Sequence, residues 1–335
     1  MGRNFKAMTV GRLDSPETLI PPRKYYDEYI SREIDKGVSE FDVFRYALAN
    51  RMNVLIEGPT GPGKTSACLA FAALHDMPFY AIQSNAGAEP SQIFGRMVQS
   101  EAGIWQFQDG GLTALMRMSQ KRPCFLLVNE INFMLAKIAT VLFSLLDKRR
   151  SISLVDNRGE VLEAGNLLIV ADMNPDYTGT RQLNEALLNR FPIRMVFDYD
   201  PAIEVKLVKS ASLLRAAQQL RTQYIRGEHN TPVSTNSLME FEKLANDFSV
   251  QFAINNFKHM FTAEYREAVN SVFVLEKINI EREYGVSTDS NDLDPDQLLE
   301  ESVKNQRVNL SDIGVNTDTL PVEEYMKLRK SGVVK

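Results

Sequence analysis

From Met52 onward, short apolar runs alternate with longer stretches in which apolar residues return at helical spacing. The runs are NVLIEG (53–58), PFYAIQ (78–83), CFLLVNE (124–130), NLLIVADM (166–173) and IRMVFDY (193–199). Their apolarity is continuous rather than alternating, which marks strands buried on both faces and hence a parallel sheet covered by helices. Helices are predicted between them at TSACLAFAALHD (65–76), LTALMRMSQK (112–121), LAKIATVLFSLLDKRR (135–150) and LNEALLNRF (183–191). Strand–helix alternation of this kind predicts an α/β fold, a three-layer αβα sandwich over 51–200. Upstream, residues 1 to about 22 read as an extended arm closed by Pro21-Pro22. KYYDEYISREIDKG (24–37) and SEFDVFRYALANR (39–51) then read as helices, the second capped at Ser39. After Asp200 the strands stop. Residues 201–283 are helix-rich around a break at GEHNTPVST (227–235), which predicts a small helical domain. Residues 284–335 read as an acidic tail, disordered in part or docking on a partner, with a short helix at LPVEEYMKLRK (320–330).

Chemistry enters at the turn after the first run. VLIEGPTGPGKTS carries the GxxxxGK[ST] pattern between a strand and a helix, spanning Gly58, Pro59, Thr60, Gly61, Pro62, Gly63, Lys64, Thr65 and Ser66. Glycines let the backbone turn its N–H groups inward around phosphates, toward which the positive end of the following helix also points. Lys64 would neutralise β- and γ-phosphate charge, and the Thr65 hydroxyl would ligate Mg2+. A glycine-rich turn matching by chance lacks both flanking elements.

About 60 residues later, CFLLVNE ends in Asn129-Glu130. Glu130 is placed to orient and deprotonate a water. Asn129 keeps an oxygen for the metal site but lacks the negative charge that Asp would bring. Weaker magnesium binding is therefore expected, with hydrolysis retained but demanding of magnesium, and Asn129→Asp should ease that demand. The competing readings are a binding-only site and a Glu130 that merely caps a helix. NLLIVADMN ends in Asn174, an amide for the γ-phosphate region if its strand lies between the other two; alone, Asn-Pro is an ordinary turn. LNEALLNRF ends in Arg190. That cation reaches a neighbouring subunit's phosphates if the loop lies at the other end of the sheet, and otherwise complements a helix C-terminus.

Charge and composition limit the setting. The net charge of -5 gives no bulk basic field, so nucleic acid is an unfavoured partner. Two cysteines, Cys68 and Cys124, lie in apolar runs and fit buried thiols of a reducing compartment. No apolar run reaches the ~20 residues of a membrane span, and the N-terminal stretch has neither a signal-peptide core nor a myristoylation pattern. A cytoplasmic location and no membrane insertion are expected.

Together GPTGPGKT (58–65), FLLVNEIN (125–132), ADMNPDYTG (171–179) and LNEALLNRF (183–191) resemble the AAA+ ATPases, in particular the MoxR branch with its CbbQ/NorQ-like members. IFGRMVQSEAGIWQFQDGGLT resembles that family's insertion in its second helix (about 95–111), which faces a central pore. LLDKRRSISLVDNRGEVLEAGN resembles the hairpin before the sensor strand (about 151–164). The resemblance implies a homo-oligomeric, usually hexameric ring with ATP bound between subunits and Arg190 acting in trans. It also implies a remodelling chaperone for a protein substrate, often paired with a von Willebrand factor A-domain protein. Ile104, Trp105 and Phe107 become candidates for gripping that substrate; the alternative is that Trp105 plugs the insertion against its own domain. This chain departs from the pattern at Asn129, and near Asn236, where CbbQ/NorQ relatives tend to carry a second-sensor arginine. Arg215 and Arg221 are the helical candidates for that role. Two other classes stay open: a nucleotide-gated scaffold with little hydrolysis, and a nucleic-acid motor.

Overall fold

The segment read above as one helix over 24–37 is mostly not helical. In the computed structural model, which describes residues 19–84, 89–101, 103–175, 183 and 185–285, α1 lasts a single turn (Lys24–Asp27). The buried carboxylate of Glu40 then accepts from the Ser31 hydroxyl and the Arg32 N–H, both at 3.0 Å, fixing the chain in an extended course. Gly37, at φ +74°, turns β1 (Glu33–Asp35) into β2 (Val38–Ser39). Helical periodicity in 24–37 loses to this tertiary capture. The next expectation holds: Ser39 caps α2 (Glu40–Ala49) in a reciprocal box with Asp42, worth about 1 kcal/mol to a helix.

Five strands then build one parallel sheet. In chain order they are β3 (Asn53–Glu57), β4 (Phe79–Gln83), β7 (Cys124–Asn129), β10 (Leu167–Met173) and β11 (Ile193–Val196), and across the sheet they run β11-β3-β10-β7-β4. Alternate residues of the inner strands enter two separate cores, whereas edge strand β11 buries only Met195 and part of Ile193 and leaves Arg194 and Val196 exposed. Phe125, Leu127, Leu168 and Val170 pack with α2 and α3 (Lys64–Leu74), whereas Leu126, Val128, Ile169 and Ala171 pack with α5 (Gly111–Ser119) and α6 (Ala136–Leu146). Two-sided burial is why these strands lack polar alternation. Cys68 and Cys124 are buried and free.

Two antiparallel hairpins leave this frame. The first, β5 (Gly95–Gln99) with β6 (Trp105–Asp109), lies between α4 (Pro90–Phe94) and α5; the second, β8 (Ser151–Leu154) with β9 (Glu160–Glu163), precedes β10. Arg117 on α5 holds both: its Nε meets Asp109 at 2.8 Å, and its two Nη atoms meet the Glu160 carboxylate at 2.8 and 2.7 Å. These groups are roughly one-third exposed, which limits the pair to about 1 kcal/mol. Arg117→Ala is therefore expected to lower stability by about that amount and to speed amide exchange in 95–109 and 151–163. Exchange rates unchanged in either hairpin would show that Arg117 does not restrain it.

Predicted helix ends shift by a few residues. α6 stops at Leu146 rather than 150, because Asp147 turns extended (φ -81°, ψ 174°); beyond it Arg150, at φ 47°, directs its guanidinium to Arg51, Asn53 and Leu167. α7 covers only Glu185–Leu188, so Arg190 sits in the turn beyond it rather than at a helix end. α8 (Pro201–Leu207) follows β11.

The described residues divide into two compact units: one up to Leu207 together with Ser234–Asn236, the other Val208–Val233 with the described residues from Ser237 on. The second contains α9 (Ala211–Ile225), most of α10 (Thr235–Asp247), α11 (Val250–Lys258) and α12 (Arg266–Glu283). Leu213, Leu220, Phe241, Phe257 and Phe273 are buried in it, with Phe241 and Phe273 stacked at 5.7 Å. Glu283 accepts from the Ser210 and Ser212 hydroxyls at the start of α9, where negative charge suits the helix dipole. The expected arm, acidic tail and docking helix lie outside the described residues apart from 19–22, 284 and 285. Among the described residues no helix is long and apolar enough to cross a membrane.

Candidate functional site

β3 turns into the phosphate-type loop at a point where a side chain has no room. A Cβ on Gly58 would stand 1.9 Å from the Phe197 carbonyl oxygen, while its own N–H donates to Met173 at 3.2 Å. Gly63, at φ +97°, caps α3 in the left-handed region. The first N–H groups of a helix lack intrahelical acceptors, and here they belong to Lys64, Thr65 and Ser66. These donors and the α3 dipole make an anion cradle. Lys64 closes the loop by donating Nζ to the Gly58 and Pro59 carbonyls at 2.7 and 2.6 Å. The Thr60 carbonyl accepts from the Tyr199 hydroxyl at 2.9 Å. The Pro62 carbonyl accepts from Arg32, whose buried guanidinium stacks 4.1 Å over the Phe197 ring and donates to the Asp198 carbonyl at 3.1 Å. A Cβ on Gly61 would fall 2.6 Å from that of Ser234, with the Asn236 amide nitrogen at 3.7 Å.

Two strand ends deliver the polar groups. Asn129, at the tip of β7, sends Nδ2 to Gln83 Oε1 at 3.2 Å, which leaves Oδ1 toward the Thr65 hydroxyl at 3.4 Å. Glu130 follows at φ 52°, ψ 51°, a left-handed conformation that costs a non-glycine residue about 1 kcal/mol. Its side chain makes no capping bond, so the helix-cap reading of Glu130 fails, and its carboxylate is exposed. Its N–H donates to Asp172 Oδ1 at 2.6 Å. Asn174, beyond β10, donates Nδ2 to Thr60 Oγ1 at 3.2 Å, and its carbonyl accepts from Asn132 Nδ2 at 3.1 Å. Loop, Asn129, Glu130 and Asn174 thus meet at the C-terminal ends of three adjacent strands, β3, β10 and β7.

Burial sets the electrostatics. It draws the Lys64 ammonium below its ordinary value, opposed by the charges of Asp172 and Glu130. It pushes Asp172 up to about 6, against the Glu130 N–H and the Lys64 charge.

Arg190 is elsewhere. Its carbonyl accepts from Asn53 Nδ2 at 2.8 Å, at the start of β3. The loop begins at the other end of that strand, about 13 Å away at ~3.3 Å per residue. The guanidinium lies 5.1 Å over the Phe143 ring and donates to Ala186 and Phe143 carbonyls at 2.5 and 3.3 Å. In the first hairpin, Ile104 and Trp105 are 67% and 62% exposed, so Trp105 does not plug its own domain; Phe107 is half-buried. Arg215 is held by Glu276 at 2.8 Å and Arg221 by the Val233 carbonyl at 2.8 Å.

Sequence reasoning missed Arg32, Gln83, Asn132 and Asp172. Nothing in the sequence singles out Arg32, Gln83 or Asn132. Asp172 carried one signal: an acid interrupting the buried face of an apolar strand.

Residues 53–191 match the family model of the AAA domain, dynein-related subfamily. Similar proteins include uncharacterized proteins of Staphylococcus aureus strains USA300 and NCTC 8325, each 31% identical over 173 residues, half of this chain. The chain covers 64% of the length of these relatives. Among solved structures, a candidate ATPase from Cytophaga hutchinsonii is 18% identical with a TM-score of 0.39, over 78% of this chain and 79% of that one. The fold is that of an AAA+ P-loop ATPase: a five-stranded parallel sheet with flanking helices, followed by C-terminal helices.

Proposed function

We propose that this chain binds and hydrolyses ATP as a subunit of an AAA+ ring, remodelling a protein complex in the manner of the MoxR branch. The convergence of loop, Glu130 and Asn174 on three neighbouring strand ends, with Arg190 at the far end of β3, carries this reading. The α3 N–H groups and Lys64 hold the phosphates, and Lys64 exchanges its two loop carbonyls for phosphate oxygens. The Thr65 hydroxyl and Asn129 Oδ1, turned toward each other, fit the magnesium ion, which neutralises phosphate charge when bound. Glu130 takes the proton of the attacking water, Asn174 orients it, and Arg190 serves the adjoining subunit's nucleotide. Exposed Ile104 and Trp105 support contact with a substrate polypeptide on the inner face of the ring. A von Willebrand factor A-domain partner and a cytoplasmic location belong to the same reading.

Asn129 favours one rival, a scaffold that assembles on ATP and hardly hydrolyses it. Both require nucleotide at the loop. Lys64→Ala is expected to weaken binding of a fluorescent ATP analogue at least 100-fold, since the loop carbonyls that Lys64 now bonds cannot replace an ammonium facing phosphate. Undiminished binding would remove the loop from the mechanism. Phosphate release then separates enzyme from scaffold.

A further inference from the structure

β7 and β10 run parallel, with Ala171 beside Val128, so the next rung sets Asp172 beside Asn129. Both continue the face on which Phe125, Leu127, Leu168 and Val170 meet α3. At the head of that helix stands the Thr65 hydroxyl, 3.4 Å from Asn129 Oδ1. Asp172 is only 3% exposed. One of its oxygens takes the Glu130 N–H; among the described residues no donor holds the other. The Lys64 charge bears on it, and among the described residues no cation forms an ion pair with it. A carboxylate buried with one bond and no ion pair destabilises the free fold. A threonine or valine would fill a strand interior at less cost, which implies that the charge is there for a cation.

We propose that Asp172 supplies from β10 the carboxylate charge toward magnesium that position 129 on β7 lacks. The acid has moved one strand sideways rather than disappeared, while its Oδ1 fixes the backbone of the general base beside it. The inference rests on reading the loop as a magnesium–nucleotide site. It also revises the expectation drawn from Asn129 alone. With Asp172 in place the site is not short of negative charge, and Asn129→Asp by itself sets two carboxylates side by side without easing any magnesium demand.

The test uses the full chain, a fluorescent non-hydrolysable ATP analogue, and titrations with Mg2+ and with Mn2+ read by electron paramagnetic resonance. Asp172→Asn keeps an oxygen for the Glu130 N–H and removes only the charge. It is expected to raise the metal concentration for half-maximal nucleotide binding about tenfold, a modest share of the attraction between a carboxylate and a dication. Metal-free nucleotide binding should hold, and the free protein should melt no lower than the parent. Asn129→Asp in the Asp172→Asn background should bring the metal requirement back to within about threefold of the parent. An unchanged requirement in Asp172→Asn overturns the proposal. So does a raised requirement that the swap fails to restore, since Asp172 then only anchors Glu130. Should Asp172→Asn not fold, Asp172→Ser, with a hydroxyl for the same N–H, is subject to the same outcomes. Nucleotide binding indifferent to Lys64→Ala would instead sink the site reading itself.

Discussion

Glu130→Gln is expected to bind ATP as well as the parent and to hydrolyse it about 10²–10⁴ times more slowly, the usual worth of a positioned base. The substitution is nearly isosteric, and the backbone bond that orients this residue, Glu130 N–H to Asp172, survives it. The left-handed backbone at Glu130 also survives, and with it the aim of the side chain away from any capping role. What disappears is the capacity to take a proton. The variant should therefore accumulate in its nucleotide-bound, assembled state, visible as a larger particle in sizing with ATP. If phosphate release falls less than about fivefold, some other group is the base.

Arg190→Ala should be nearly as damaging, by about 10³-fold in turnover, for a different reason. Five strand residues separate the Arg190 carbonyl, bonded to Asn53, from the loop after Glu57. An arginine side chain cannot cross that span and still meet its own γ-phosphate. If it acts, it acts on a neighbour. Mixing Arg190→Ala subunits, which keep the loop, with Lys64→Ala subunits, which keep the arginine, should then restore activity that neither variant has alone. Among the described residues the guanidinium bonds the Ala186 and Phe143 carbonyls and rests on the Phe143 ring, so the melting temperature should drop little. No activity from the mixture, with turnover of each variant independent of concentration, would place the residue in a purely structural role.

The sheet and the loop were legible because their physics is local. Two-faced burial writes a continuous apolar run, and a strand–loop–helix with glycines at fixed offsets writes a phosphate cradle. Sheet order also mattered: Asn174 was a candidate only if β10 lay between β3 and β7, and it does. The misread helix at 24–37 failed on a contact no window of sequence contains, a buried Glu40 collecting Ser31 and Arg32. Arg32 itself binds Pro62 and Asp198 across 30 and 166 residues, a distance at which no periodicity signals anything. Asp172 is the most instructive miss. In the chain it is one acid near a strand end; only the pairing of Ala171 with Val128 reveals that it stands next to Asn129. On the proposal above, the amide that looked like a metal contact short of charge becomes half of a rearranged pair.

The most direct measurement is phosphate release from ATP by the unmodified chain, followed with and without magnesium over a wide range of protein concentration. Hydrolysis at a site completed by a neighbour's Arg190 predicts magnesium-dependent turnover whose rate per subunit rises with concentration and levels off as the ring fills. Tight ATP binding with phosphate release no faster than that of Glu130→Gln, at every concentration, would contradict it and leave a nucleotide-gated scaffold.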